Sequence, residues 1–187
     1  MLTLSKPLSA AQARAYHVEE FGNAQENYYT VNDQIRGQWQ GELARRWTLH
    51  GEVLDEQFRR LAEGQHPLTG ESLVRHRTPC RYTNERGQTV TTMAHRAGWD
   101  ATFSAPKSVS LTALVGGDDR VRVAHEASVS VALEELEQYV QARMGNHPPE
   151  TTRNCIAARF EHDSARPVGG YAAPQLHTLL LPYWQRL

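Results

Sequence analysis

The sequence predicts an α+β fold, a mostly antiparallel central sheet with helices packed on one side of it. Three observations carry that expectation. Residues 99–104, "WDATFS", put Trp99, Ala101 and Phe103 on one face of a strand and Asp100, Thr102 and Ser104 on the other. Residues 152–161 read as a second strand, with Ile156, Ala158 and Phe160 sharing a face. Between them runs a helical stripe of Val129, Leu133, Leu136, Val140 and Met144. Strands that alternate irregularly with helices favour this architecture.

In chain order, Ser9 caps a helix over "AAQARAYHVEEFG" that ends near Gly22. The polar stretch that follows reads as loop, with a short strand around Trp39. Asp55 to Glu63 is a short helix with Asp55 as its N-cap, and "GQHPLTGESL" is a loop. After the strand at 99–104, "SAPKS" is a turn or helix start, with Pro106 at a tolerated early position. Asp118 or Asp119 caps the long helix, which runs to about Met144 and is broken by "GNHPPE". "HDSARPVGGYAA" is a loop, and "PQLHTLLL" is the last strand.

Composition bounds the function. At 187 residues the chain suits one domain with a substantial core. Its formal charge of −1 excludes a uniformly basic nucleic-acid binder but leaves room for a local basic groove. Cys80 and Cys155 stand far apart and outside any metal-ligand spacing, as reduced cysteines of a cytoplasmic protein do. No apolar run approaches the ~20 residues that span a bilayer, and the N-terminus has no signal-peptide core. A soluble cytoplasmic protein without membrane insertion is expected.

Three groups of side chains have chemical potential. Tyr16 falls in the first helix, and Tyr28 and Tyr29 follow in a polar stretch. A phenol is a poor nucleophile at its free pKa of about 10, and becomes useful where a metal polarises the electrophile or a base takes its proton. Taken alone, Tyr16 is equally a core aromatic and the pair a surface turn. His162 and His177 end one strand and occupy the next, so neutral imidazoles on adjacent strands could pinch a divalent ion. A single histidine in an apolar strand is more often a core residue. A third donor at 179 would share His177's face, because strand side chains repeat every two residues, but that position is Leu179. Asp100 faces a polar side, where a carboxylate can orient a metal-bound histidine or act as a base.

The order of these pieces is a helix with Tyr16, then "YY" at 28–29, "WDATFSAPKSVSLTALV" at 99–115, a long helix, "FEHDSAR" at 160–166 and "PQLHT" at 174–178. Over almost its whole length the chain resembles the relaxase domain of TrwC-type conjugative relaxases, in the HUH endonuclease superfamily. The resemblance implies a palm-type antiparallel sheet and one relaxase domain over residues 1–187, incomplete at its C-terminus. It implies an enzyme that nicks one DNA strand at a plasmid transfer origin and stays joined to the 5′ end through a phosphotyrosine. Tyr16 matches the first nucleophile, with His17 where the family often has another tyrosine; Tyr28 matches the second nucleophile and Tyr29 adjoins it. Asp100 matches the aspartate that assists the nucleophile and orients a ligand. His162 and His177 match two of three histidines for a divalent metal ion such as Mg or Mn. The implied partners are single-stranded DNA or the origin hairpin, with other relaxosome and conjugation proteins. Arg75, Arg77, Arg81, Arg96 and Lys107 are candidates for contact with the DNA backbone.

Two departures bear on activity. Leu179 stands where the family's third histidine belongs, and the loop from His162 to His177 is about four residues longer than the common version, which a surface loop tolerates. After Thr178 the resemblance stops within one motif, as expected of a shifted reading frame or a truncation. The expected function is therefore strand transfer with an impaired metal site, and the alternative is a non-catalytic binder of single-stranded or hairpin DNA.

Overall fold

The computed structural model describes residues 1–15, 37–74, 80–91, 95–143, 147–165 and 170–184. Among these residues five strands build the central sheet, in the spatial order β1 (Leu2–Leu4), β5 (Ala101–Ser104), β9 (Pro174–Trp184), β8 (Cys155–Ser164) and β2 (Gln38–Gln40). Every neighbouring pair is antiparallel. The mixed α and β architecture with an antiparallel sheet is the one expected.

Helices cover both faces of the sheet, however, not one. Trp39, Ile156, Ala158, Phe160 and Leu179 face a cluster built from Ala13 in the helical residues 10–15 (α1), Leu43 and Ala44 in α2 (Glu42–Arg46), and Phe58, Leu61 and Ala62 in α3 (Asp55–Ala62). On the reverse face, Ala101, Cys155, Ala157 and Leu180 meet Val129 and Leu133 of α5 (Asp119–Glu137), while Leu176 meets Ala113 of α4 (Lys107–Leu114). The physical reason lies in β8, where every residue from Cys155 to Phe160 is buried. A strand apolar on both sides needs cover on both sides. Phe160, 1% exposed, is the largest of these, with Phe58 edge-on to it at a centroid distance of 6.3 Å.

Local signals set several element ends. Ser9 and Gln12 form a reciprocal cap: Gln12 N donates to Ser9 Oγ at 3.3 Å and Ser9 N donates to Gln12 Oε1 at 2.9 Å. Asp118 caps α5 by accepting from Arg120 N at 3.1 Å. Asp55 is the first residue of α3, and the N-cap is Leu54. The long helix ends at Glu137, not near Met144. Val140 is buried beyond the helix, at the root of a hairpin of β6 (Gln141–Arg143) and β7 (Pro149–Thr151), and its carbonyl accepts from Thr152 N at 2.8 Å. Periodicity alone cannot separate these cases, because a buried valine at helical spacing also fits a hairpin root. Two elements carry too short a pattern to be read from sequence. They are α2 and the hairpin of β3 (Arg81–Thr83) and β4 (Thr89–Thr91). Gly41, at φ 108°, lets α2 start so close to β8 that a Cβ there would lie 2.4 Å from the Cys155 carbonyl oxygen.

The last strand runs to Trp184, three residues past the expected "PQLHTLLL". Its pairing with β5 ends at Leu180, so Pro182, which has no N–H to donate, lies beyond the double-sided part of the ladder.

Candidate functional site

His162 of β8 and His177 of β9 are direct cross-strand partners, so their side chains leave the sheet on the same face. The rings stack with centroids 4.9 Å apart and planes 16° from parallel. His162 is 8% exposed, and its pKa is pushed down to about 4, chiefly by loss of solvent and further by His177, against a smaller opposing effect of Asp163. At neutral pH His162 is therefore an uncharged imidazole, the form that can ligate a metal. His177 Nδ1 lies 3.0 Å from the Gln175 carbonyl oxygen, which can only accept. Nδ1 therefore donates, and the backbone carbonyl fixes the orientation of the ring.

The next residue on that face of β9 is Leu179. It pairs with Phe160 on one side and Thr102 on the other, is 6% exposed, and belongs to the apolar cluster under α1, α2 and α3. Leucine has no lone pair to offer. Among the described residues no group of three His, Cys, Asp or Glu side chains is placed to hold a metal ion. His125 cannot stand in for the missing donor. Its Nε2 lies 3.3 Å from Thr178 Oγ1, and Thr178 leaves the opposite face of the sheet from His177 and Leu179. Among the described residues, this face thus offers two imidazoles, His162 and His177, and a leucine at the next position of β9.

Asp100 is half-buried just before β5. Its backbone N donates to Ser5 Oγ at 2.9 Å, and its Oδ1 accepts from Thr102 Oγ1 at 3.0 Å. Since Thr102 pairs with Leu179 and Ser104 with His177, Asp100 lies on the far side of position 179 from His177. An imidazole at 179 would stand between the aspartate and the histidine pair.

Tyr16, Tyr28, Tyr29, Arg75 and Arg77 lie outside the described residues. Ala13, in the helix that leads toward Tyr16, packs in the same cluster as Leu179. Arg81 is exposed on β3, in a hairpin that also exposes Tyr82 and Arg86, and Arg96 is exposed ahead of β5. Lys107 is exposed, with Nζ donating to the Pro174 carbonyl at 2.6 Å, so its ammonium sits at the start of β9. Sequence reasoning passed over Gln175, whose carbonyl orients His177. Its place two residues before a candidate ligand was the available signal.

Comparison with known proteins places this geometry. The sequence model of the TrwC relaxase family matches residues 10–180. The multifunctional conjugation protein TraI of Escherichia coli is 34% identical over 181 residues, covering 95% of this chain and 9% of TraI. TraI of strain K12 is 33% identical over the same span. Among solved structures, the metal-bound conjugative relaxase TrwC in complex with oriT DNA superposes with a TM-score of 0.69 at 32% identity, over 97% of this chain and 56% of that one. TrwC complexed with a 27-mer DNA comprising the recognition hairpin and the cleavage site gives 0.70 at 31% identity, over 97% and 55%. The chain thus spans about a tenth of TraI and little more than half of the TrwC chains it matches.

Proposed function

The chain belongs to the TrwC relaxase family, and from that premise we propose that it acts on DNA at a plasmid transfer origin by strand transfer through a 5′-phosphotyrosyl intermediate, with a weakened metal site. The observation that carries this reading is the His162–His177 stack on the sheet face where Leu179 occupies the third position. The oriT DNA complexes of its TrwC neighbours support a DNA substrate, and their metal-bound form supports a divalent ion.

The chemistry is a transesterification. The Tyr16 oxygen attacks the scissile phosphorus in line, the bond to the 3′ oxygen breaks, and the released 3′ hydroxyl takes up a proton. Phosphodiester energy is conserved in the tyrosyl linkage, so Tyr28 or a free 3′ hydroxyl can accept the strand later without a nucleotide cofactor. Tyr29 adjoins that second nucleophile. A divalent ion, when bound, neutralises charge that builds on the phosphate oxygens. His162 and His177 would hold it. Asp100 assists from the other side of position 179. Arg75, Arg77, Arg81, Arg96 and Lys107 supply positive charge to the DNA backbone, and the exposed Tyr82 beside Arg81 offers a stacking surface. Relaxosome and conjugation proteins as partners, and a cytoplasmic setting, belong to the same reading.

The test is covalent capture. Protein incubated with labelled single strands from transfer origins, with Mn²⁺ or with EDTA, should yield an adduct that survives denaturing electrophoresis. Tyr16→Phe should abolish it, and His162→Ala should remove its dependence on Mn²⁺. An adduct undiminished in Tyr16→Phe would sink the nucleophile assignment. Leu179 favours one second reading, a non-catalytic binder of single-stranded or hairpin DNA. Tight binding that ignores chelator, with no adduct from any origin strand, would select it.

A further inference from the structure

β9 carries an irregularity at the histidine pair. His162 pairs with His177, yet Ser164 pairs with Pro174, so two steps along β8 answer three along β9. One extra residue in β9 makes a bulge at Gln175 and Leu176, and such bulges re-aim the side chains beside them. A bulge also takes backbone groups out of the ladder, and here they are met by Ser110 of α4 and by Ala105 just ahead of it. Leu176 N donates to Ser110 Oγ at 3.1 Å, and the Leu176 carbonyl accepts from Ala105 N at 3.0 Å. Gln175 Nε2 donates to the Ala105 carbonyl at 2.9 Å and to Ser110 Oγ at 3.4 Å. The Ser110 hydroxyl donates in turn to the Pro106 carbonyl at 3.2 Å.

Ser110 is 0% exposed, so water cannot replace any of these bonds. A hydroxyl has one proton and two lone pairs, and all three are in use. The carbonyl between the two clamped groups, that of Gln175, is the one that receives His177 Nδ1–H.

We propose that Ser110 is a positioning residue for the histidine pair: its hydroxyl locks the bulge in β9 that sets His177 against His162. For its purpose the inference rests on the reading above, since aiming His177 matters only if that ring serves the scissile phosphate. Ser110 itself touches neither DNA nor any reacting atom. It acts through Leu176 and Gln175. Ser110→Ala removes the side chain that holds the bulged N–H, and the preceding carbonyl is then free to turn away from the imidazole.

The experiment is nuclear magnetic resonance on the metal-free protein and on Ser110→Ala. In the parent chain the Leu176 amide should be protected from hydrogen exchange to within tenfold of Leu180, and the rings of His162 and His177 should show mutual nuclear Overhauser effects. In Ser110→Ala the Leu176 amide should exchange at least tenfold faster, with loss of the inter-ring effects and of the slowly exchanging His177 Nδ1–H, while the Leu180 amide keeps its protection. Ser110→Cys, with a weak donor and acceptor of similar size, should recover part of each signal. A folded Ser110→Ala that retains the inter-ring effects overturns the proposal. If Ser110→Ala does not fold, the parent chain still decides: a Leu176 amide that exchanges as fast as an open loop overturns it. These signals need neither metal nor DNA, so absence of a covalent adduct counts against strand transfer alone.

Discussion

The two faces of the central sheet treat buried polarity in opposite ways. Under α5, buried and half-buried charges stand in pairs, with Arg159 Nε left without a hydrogen-bond partner. Arg159 pairs with Glu161 at 2.7 Å and donates to Ser130 Oγ at 2.9 Å, and Arg122 grips both oxygens of Asp163 at 2.7 and 3.1 Å. Under α1 to α3, the polar pair is the buried His162 and the half-buried His177, stacked on each other at the end of an apolar row of Phe160 and Leu179. Loss of solvent and the neighbouring His177 both hold the His162 pKa down. The first face uses ions to join a helix to a sheet; the second holds His162 as a neutral ring.

Four measurements would break or sharpen that contrast. Phe160→Ala should have the largest effect, about 4 kcal/mol by urea unfolding, because an aromatic side chain is deleted from the packed row beside the histidines. A loss under 1 kcal/mol would mean the row is not a rigid support. On the other face, Arg159→Ala should cost on the order of 3 kcal/mol by leaving Glu161 without its partner, whereas Arg159→Met with Glu161→Leu should recover most of it. Failure of the double variant to recover would give those ions a role beyond joining α5 to β8.

The third measurement is stability against pH in the presence of EDTA. His162 has a folded pKa near 4, below the unfolded 6.5, so the unfolded chain binds more protons between those values. Its contribution, at most about 3 kcal/mol, is fully present above pH 6.5 and is lost as pH falls toward 4. His162→Gln should flatten that slope, and an unchanged slope would place the titration elsewhere. The smallest expected stability change is the most informative functionally. Leu179→His should cost about 2 kcal/mol, as a polar ring replaces a core leucine. It should also tighten Co²⁺ binding at least a hundredfold, read by calorimetry. Equal binding by parent and variant would show that residue 179 does not limit the site.

How far the sequence reached can be judged from particular elements. The alternation at 99–104 correctly put Asp100 and Thr102 opposite Ala101 and Phe103, and the pattern at Ile156, Ala158 and Phe160 named the face that also bears His162. The Ser9 cap was legible because its partner Gln12 lies one turn away. The end of α5 was not, since Val140 keeps helical spacing while its carbonyl serves a hairpin. Of the second layer of helices, α2 went unread because it is five residues long, too short for a periodic pattern, and the face that α1 and α3 cover depends on tertiary packing.

The sequence by itself determined which side chains are candidates for the proposed chemistry: three tyrosines, an aspartate and two histidines, with a leucine at 179. It also determined the strands that carry the histidines, because a two-residue period is a local property. Tertiary structure alone decided that His162 stands opposite His177, that Asp100 lies beyond position 179, and that β9 bulges next to the histidine pair. Register and bulge depend on pairing between distant segments and on a hydroxyl 66 residues before the amide it holds. No local period encodes a bond of that reach.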